Sequence, residues 1–452
     1  MRIKSLSGLV GSGFRKSFPG FLDSEELEGA LVDRCERRFE EVHRVPASHS
    51  VTGVSNGTDA LILALEALDI GFGDEVIVPG LTWQATAGSV LDVNAVPVLI
   101  DVLPGTLCLD PDRVERYLEG CVAERRRLPR AIIVVHLFAS AADMDKFAEI
   151  CRRYNVALIE DCAHAHGASW RGRALGTFGA IGTFSTQRTK PLAGRQHPDE
   201  YTWECPTGSE GGFIVTGVPT LDIRVRALAS CGRRVENSQI SSTARPDELT
   251  AYWRTRVDEL GLPTFPIQSG NNRLPASVAE RLLDELDRFR EEHEQRGRGL
   301  VELSDALGHG QVPGITLLAS QPELTTPVAH MFPFRYAPDH FSGMDSELFR
   351  QVLMHLMDGY LVDIPYHPLG GGPADYTSPV YNPNSKRRYR ISEEHWAAIN
   401  PARWDLPNAH YAYRHVVVLE HTALREPGIA TALTDALTWM HERAESLVNA
   451  AS

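Results

Sequence analysis

The feature that most constrains the fold is an alternation of short apolar runs with helical patterns, which extends from Val51 to about Thr216. Strands that are apolar throughout and separated by helices are typical of a mostly parallel sheet covered by helices on both faces. We therefore predict an α/β fold, with strands at 76–78, 98–100, 132–135, 156–159, 181–184 and 213–215 and helices near 58–69, 84–92, 111–120 and 143–154.

The pattern changes after about residue 235. A polar stretch at 237–243 is followed by a long amphipathic segment from Ala276 to about Arg296, and a further helix is predicted from about Ile429 to Val448. Weak strands and turns lie between them, which indicates a smaller α+β domain. We predict three parts: an N-terminal segment (1–50), a large domain (51–270) and a small C-terminal domain (271–452).

Composition excludes several classes of partner. The 452 residues are 43% hydrophobic and 23% charged, as in ordinary globular proteins. The net charge of -14 argues against nucleic acid or an anionic membrane as a partner. No run reaches the roughly 20 apolar residues of a membrane span. The seven cysteines form no CxxC pair, and the N-terminus lacks a signal-peptide pattern. We therefore expect a cytoplasmic protein with reduced thiols.

A carboxylate and a lysine follow two of the predicted strands. Asp161 comes two residues after the end of the run 156–159, and Lys190 follows the strand at 181–184. Ligands gather at the carboxyl ends of parallel strands, where we also expect Asp101 and His136. Pyridoxal phosphate needs this pair, because a lysine holds its aldehyde as a Schiff base while a carboxylate keeps the pyridine nitrogen protonated.

A second signal suits the phosphate of such a cofactor. Gly57 and Thr58 open a strongly apolar helix, and the free N–H groups at a helix start attract a phosphate. The hydroxyl groups of Thr58 and Ser185 would add donors. The alternative is that Asn56 or Thr58 only caps a surface helix.

Other ligands find less support in the sequence. The glycine-rich stretch 8–13 follows no predicted strand and matches no nucleotide-binding fingerprint, which argues against a dinucleotide-dependent oxidoreductase. His164 and His166 are two apart, but no third ligand accompanies them, so we predict no metal site.

Six segments together resemble the DegT/StrS family of pyridoxal-phosphate-dependent aminotransferases, which act on keto sugars and keto cyclitols. They keep the family's order and spacing over roughly residues 50–230, whereas the C-terminal half matches more faintly. The resemblance implies the type I fold of pyridoxal-phosphate enzymes. The matching segments are 55–61, 73–79, 82–86, 160–168, 185–190 and 210–212.

The resemblance implies a role for each matching residue. Lys190 would bind the cofactor covalently and move protons, and Asp161 would pair with the pyridinium nitrogen. Trp83 would stack on the ring, although an aromatic residue here also suits a plain core position. His164 takes the place often held by glutamine near the cofactor's phenolic oxygen. The phosphate would be held by Gly57, Thr58 and Ser185.

The resemblance also implies a homodimer with a shared active site. The stretch 269–274 looks like a family motif whose asparagine reaches the partner's phosphate, and Asn271 is the candidate. Arg273 would clamp the carboxylate of the amino donor or serve as a surface ion-pair partner. His367 would reach the substrate from the small domain.

An insertion separates Lys190 from the family's glycine-rich turn, which begins here with Ser209. It covers about residues 193–208, and loops absorb such length at small entropic expense. We hypothesise that it shapes substrate access, with Tyr201 or Trp203 as a wall; the alternative is an ordinary surface loop.

The reaction that the resemblance implies is a transamination in antibiotic or other secondary-metabolite biosynthesis. L-Glutamine or L-glutamate would donate the amino group, and a cyclic polyhydroxy ketone would accept it. The stretches 160–167 and 378–388 look most like members that act on keto cyclitols such as inososes or valienone, and a dehydroshikimate-like ring stays open. The alternatives are a nucleotide-linked keto sugar as acceptor and, from another class, a non-catalytic sensor on the same fold.

Overall fold

The computed structural model describes residues 21–194, 209–265, 267–308, 310–357, 362–363, 366–371, 381–382 and 392–451. In chain order the strands are β1 (Ser50–Val54), β2 (Glu75–Pro79), β3 (Val96–Ile100), β4 (Ala131–Val135), β5 (Ala157–Asp161), β6 (Ser169–Trp170), β7 (Arg173–Ala174), β8 (Ile181–Ser185), β9 (Gly212–Thr216), β10 (Ile315–Leu317), β11 (Leu324–Thr326), β12 (Met331–Tyr336), β13 (Val362–Asp363) and β14 (Val416–Glu420).

The helices surround these strands. They are α1 (Phe21–His43), α2 (Gly57–Ala67), α3 (Ala85–Asp92), α4 (Pro111–Ala123), α5 (Met144–Tyr154), α6 (Pro219–Ala229), α7 (Glu248–Asp258), α8 (Ala276–Gly308), α9 (Ser346–Leu356), α10 (Glu393–Ile399), α11 (Pro407–His415) and α12 (Ile429–Ala451), with short 3-10 helices at Pro338–Phe341, Pro401–Arg403 and Ala423–Arg425. No helix in the described part of the chain is long and apolar enough to cross a membrane.

The central sheet has seven strands in the order β1-β9-β8-β5-β4-β2-β3. The five strands from β8 to β3 are parallel; β9 pairs antiparallel with β8, and β1 pairs antiparallel with β9 at the edge of the sheet. This confirms the predicted α/β fold and its six predicted strands. Strand β1 was not predicted, because Ser-Val-Thr-Gly-Val is too poor in long apolar residues to be noticed alone.

Helices cover both faces of this sheet, which explains the apolar strands. Every residue of β4 and β8 is buried. Full burial of a valine or isoleucine side chain contributes about 1.5–3 kcal/mol, so runs such as Ile132–Val135 stabilise the centre of the sheet. Helix ends are set locally; Asp143, for example, accepts a hydrogen bond from the N–H of Lys146 at the start of α5.

A second core lies between the C-terminal elements. A four-stranded antiparallel sheet, β10-β12-β14-β13, packs there with α9 and α12. Helix α8 contributes to both cores, since Ala279 to Phe289 lie in the first and Leu300 to Leu307 in the second. The boundary predicted at 270/271 thus falls just before a helix that both cores share.

The carboxyl ends of the parallel strands meet at one edge of the sheet. Asp161 and Ser185 end neighbouring strands there, as the sequence predicts. Asp101 lies at the same edge, but its carboxylate accepts hydrogen bonds from the N–H groups of Asn408 and Ala409 at the start of α11. Asp101 therefore joins the C-terminal part of the chain to this edge.

Candidate active site

Asp161 is held in a defined orientation at the end of β5. One carboxylate oxygen accepts a hydrogen bond from Thr86 Oγ1 (3.0 Å) and the other from the N–H of Ala163 (3.1 Å). The side chain of Thr86 also contacts Thr82 Oγ1 at 3.0 Å. Burial raises the pKa of Asp161, while these two donors and the nearby charge of Lys190 act in the opposite direction.

Lys190 lies in a turn after β8, where its N–H donates to the carbonyl oxygen of Gln187 (2.7 Å). Only 9% of the residue is exposed. Burial lowers its pKa to about 8, and the carboxylates of Asp161 and Glu210 oppose this effect. The structure therefore brings together a buried lysine with a lowered pKa and a buried, electrostatically coupled aspartate, as the sequence predicted.

The start of α2 lies directly against Ser185. A Cβ atom added to Gly57 would be 2.5 Å from Ser185 Cβ, so this close approach requires glycine. Asn56 caps the helix, because its side-chain oxygen accepts a hydrogen bond from the N–H of Asp59 (2.8 Å). The capping role considered for Asn56 is therefore correct. Among the described residues, the N–H groups of Gly57 and Thr58 have no hydrogen-bond partner outside the helix. Capping and anion binding are thus compatible here.

Trp83 borders the same edge and is 52% exposed. The alternative that it is a core residue is therefore wrong. Its ring centroid lies 5.7 Å from that of Tyr366, with the two planes at 60°. An exposed aromatic face that follows the carboxyl end of β2 suits a flat ligand.

His164 is buried between two aromatic side chains. Its Nδ1 accepts a hydrogen bond from the N–H of Phe138 (3.1 Å), and its Nε2 lies 3.0 Å from the hydroxyl oxygen of Tyr366. The ring centroid of His330 is 4.0 Å away. Burial and the nearby positive charge of Lys190 hold the pKa of His164 well below its usual value.

The other predicted site residues lie farther out. Asn271 and Arg273 are exposed, and Arg273 Nε donates to Asn271 Oδ1 (3.0 Å). The backbone here pairs with β1, since Val54 and Arg273 form a bridge. His367 lies next to Tyr366 in sequence and contacts the hydroxyl of Tyr413 at 3.4 Å. Tyr201 and Trp203 lie outside the described residues.

Three residues that contribute to this site were not predicted from the sequence. Thr86 orients Asp161, and a signal for it exists: Thr82 and Thr86 are four apart where α3 begins, so both hydroxyl groups share one side of that turn. Glu210 stabilises the charge of Lys190, but its sequence context indicates only a glycine-rich turn. Tyr366 gives no local signal, because only the fold brings it to His164.

One cluster of possible metal ligands occurs among the described residues: His136, Glu160 and Cys162, all buried. Their hydrogen bonds identify a structural role. Glu160 accepts from His136 Nε2 (3.3 Å) and from the N–H groups of Gly176, Phe178 and Gly179, and His136 Nδ1 accepts from Ala142. The cluster thus fixes the loop before β8.

Comparison with known proteins agrees with this geometry. L-Glutamine:2-deoxy-scyllo-inosose aminotransferase of Streptomyces kanamyceticus is 36% identical over 401 residues, which cover 86% of this chain and 80% of the relative. L-Glutamine:scyllo-inosose aminotransferase of Streptomyces griseus is 35% identical over 83% of this chain and 78% of its own.

Solved structures are also similar to this chain over most of its length. The crystal structure of 3-amino-5-hydroxybenzoic acid synthase matches with a TM-score of 0.68 and 25% identity, over 91% of both chains. DesV of S. venezuelae matches with a TM-score of 0.66 and 26% identity, over 95% of this chain and 97% of DesV. The family model described as the DegT/DnrJ/EryC1/StrS aminotransferase family matches residues 16–352. The chain therefore belongs to the DegT/DnrJ/EryC1/StrS family of aminotransferase enzymes.

Proposed function

We propose that this enzyme uses pyridoxal phosphate to transfer the amino group of L-glutamine to a cyclic polyhydroxy ketone of the inosose type. The observation that carries the proposal is the buried Lys190, whose pKa is lowered to about 8 beside the carboxylate of Asp161. A lysine of this kind is partly neutral near pH 8, and only the neutral amine attacks an aldehyde.

The described residues fit this cofactor at both ends. The coupled carboxylate of Asp161, oriented by Thr86 and Ala163, suits a protonated pyridine nitrogen. The N–H groups of Gly57 and Thr58 at the start of α2, beside Ser185, suit a phosphate. The exposed face of Trp83 suits the ring between them.

When bound, pyridoxal phosphate supplies an electron sink for the carbon that carries the amino group. Asp161 holds the proton on the pyridine nitrogen, which keeps the sink effective. Lys190 Nζ would hold the cofactor covalently and, once released, would carry the proton that moves between the amino donor and the cofactor, with the reverse transfer when the ketone is bound. The buried position of Lys190 limits the water that would compete for these protons.

Glutamine and an inosose are proposed because both occur in the names of the two bacterial relatives, which share about a third of this sequence. L-Glutamate is the second candidate donor. Valienone, a dehydroshikimate-like ring and a nucleotide-linked keto sugar complete the set of acceptors to be compared. The activity would belong to antibiotic biosynthesis.

Absorption spectroscopy of the two half-reactions tests the proposal. Protein loaded with pyridoxal phosphate should have a visible band that fades when L-glutamine is added and returns with the correct ketone. Comparison of the ketones by the rate of this return identifies the acceptor. A protein that gives no visible band after addition of pyridoxal phosphate would refute the proposal, and a band unaffected by any amino donor would favour the sensor.

The variant Lys190→Ala provides the residue-specific test. We expect it to lose the lysine-linked band and to reduce turnover by at least about 10³-fold, since it removes both the attachment point and the proton carrier. Lys146→Ala is the matched control, because that lysine is exposed and pairs with Asp112 on the surface. Substantial turnover by Lys190→Ala would show that another group moves the protons.

A further inference from the structure

Two hydroxyl groups lie in series behind the carboxylate of Asp161. Thr86 Oγ1 donates to one carboxylate oxygen (3.0 Å), and Thr82 Oγ1 lies 3.0 Å from Thr86 Oγ1. A hydroxyl group carries a single hydrogen, and that of Thr86 is given to the carboxylate. The hydrogen between the two threonines therefore belongs to Thr82, so both hydroxyl hydrogens point along the chain towards Asp161.

This hydroxyl chain is buried and locally built. Thr82 and Thr86 are 2% and 1% exposed, so water does not compete for their hydrogen bonds. The turn into α3 brings the two side chains together, because the N–H of Thr86 donates to the carbonyl oxygen of Trp83 (3.1 Å). In such surroundings each bond polarises the next, so Thr82 strengthens the donor that reaches Asp161.

Asp161 depends on fixed donors to keep its negative charge. Burial raises the pKa of Asp161, whereas the N–H of Ala163, the hydroxyl of Thr86 and the charge of Lys190 lower it. Lys190 changes its charge during the proposed reaction, because it is bonded to the cofactor and then released to carry protons. The backbone N–H and the hydroxyl chain do not change, so they support the carboxylate at every stage.

We propose that Thr82 and Thr86 are positioning residues that keep Asp161 ionised, so that the proton shared with the bound cofactor stays on its pyridine nitrogen. The inference rests on the proposed cofactor. Each carboxylate oxygen can accept a second hydrogen bond, so Asp161 retains a lone pair for the pyridine N–H beside its bonds from Thr86 and Ala163. Without the hydroxyl donor the carboxylate becomes a stronger base and draws the proton away from the nitrogen.

Thr86→Val keeps the shape of the side chain and removes its hydroxyl group. With nitrogen-15-labelled pyridoxal phosphate bound, we expect the nitrogen NMR signal to move from the position of a protonated pyridine towards that of an unprotonated one. The half-reaction with L-glutamine should slow by about tenfold, since a shift of one pKa unit changes the proton's distribution tenfold. Thr82→Val should act in the same direction but less strongly, and Thr86→Ser, which keeps the hydroxyl, should restore both properties.

Thr216→Val is the matched control for the loss of a buried hydroxyl group. Thr216 is 3% exposed, and its hydroxyl donates to the carbonyl oxygen of Ala180 (2.8 Å). It lies at the opposite edge of the central sheet, four residues from Gly212, which pairs with Ser185. We expect this variant to be less stable than wild type while its nitrogen signal stays in place.

The outcomes separate the two proposals. If wild type shows a protonated nitrogen and Thr86→Val matches its signal, the role of the hydroxyl chain is refuted and the aminotransferase proposal stands, even where turnover slows. A signal that moves equally in Thr216→Val also refutes it, because packing alone would then explain the change. If Thr86→Val does not fold, Thr82→Val decides the question by the same signal. If wild-type protein binds no pyridoxal phosphate, both proposals fail together.

Discussion

Lys190 illustrates how a single buried charged residue opposes stability. Its pKa is lowered from 10.5 to about 8 because the folded protein disfavours its charge. The unfolded chain consequently binds more protons between these two values, so the free energy of unfolding rises with pH through that window. At neutral pH the charged lysine is a destabilising residue in protein without cofactor.

Replacement of Lys190 by methionine removes this destabilising charge. At pH 7 we expect cofactor-free variant protein to be more stable than wild type by about 1–3 kcal/mol, since the buried charge is removed. The difference should shrink as pH rises from about 8 towards 10.5. Urea unfolding at several pH values measures it. Lys146→Met, at an exposed position, should change stability little; a Lys190→Met variant less stable at pH 7 would contradict the burial argument.

Replacement of Gly57 tests the close contact between α2 and β8. In Gly57→Ala the new Cβ would lie 2.5 Å from Ser185 Cβ, so α2 and β8 must separate. We expect a loss of about 1–3 kcal/mol in stability and weaker binding of pyridoxal phosphate. Thermal unfolding and cofactor titration measure both. Gly120→Ala is the control, because nothing lies within 4 Å of its Cβ position; equal effects of the two changes would exclude a steric origin.

The sequence was most informative about residues that follow strands. Asp161, Ser185 and Lys190 were predicted because a parallel sheet brings the carboxyl ends of its strands together. Tyr366 was not predicted, since its neighbour His164 is 202 positions away and no period or spacing connects them. Contacts between residues so distant depend on how the two cores pack, which a local pattern does not encode.

At the scale of elements, helix α8 holds the segment that follows Lys190. The buried carboxylate of Glu285 accepts hydrogen bonds from the N–H groups of Ala193 (2.6 Å) and Gly194 (2.5 Å). These are the first two residues of the predicted insertion. The first residues of the insertion are thus held by helix α8, which comes much later in the sequence.

Glu285→Gln tests this connection. The neutral amide should bind the two N–H groups more weakly, by about 1–1.5 kcal/mol, so their hydrogen exchange should quicken by about tenfold. Hydrogen exchange with mass spectrometry of a peptide covering Pro191–Gly194 measures the change. Glu280→Gln, on the exposed side of the same helix, is the control. Unchanged exchange in Glu285→Gln would mean that other contacts hold the segment.

Elements with a strong period were predictable, and those that depend on partners were not. Helix α8 follows from its amphipathic pattern, although the structure extends it from about Arg296 to Gly308. Strand β1 exists because β9 offers it an antiparallel partner, with Ser50 opposite Thr216. Intrinsic preference is a weak guide for such a strand, because pairing and burial provide its stability.

At the scale of the whole molecule, the predicted shared active site can be tested by complementation between two inactive variants. If Asn271 serves the partner's phosphate site, Lys190→Ala and Asn271→Ala chains should complement each other. One site of the mixed dimer then combines an intact lysine with an intact asparagine. A doubly tagged mixed dimer should show about half of wild-type activity, whereas each variant alone shows far less.

The same experiment can refute the shared site. If Asn271 acts on its own chain, each half of the mixed dimer carries one defect and activity stays low. Both variants must first be shown to form dimers, by sedimentation, and the exposed position of Asn271 makes misfolding of that variant unexpected. The same experiment with Arg273→Ala in place of Asn271→Ala tests whether the nearby side chain of Arg273 serves the partner's site.

Helix α8 also determines where a chimera of this enzyme and a relative can be joined. Its 33 residues make a rod about 50 Å long, and its two halves belong to different cores. A chimera joined at residue 270, before the helix, would place a foreign rod against α1 and the central sheet. A crossover inside the helix, between Phe289 and Leu300, keeps each half with its own neighbours. Exchange of acceptor preference between relatives should therefore succeed most often at that junction.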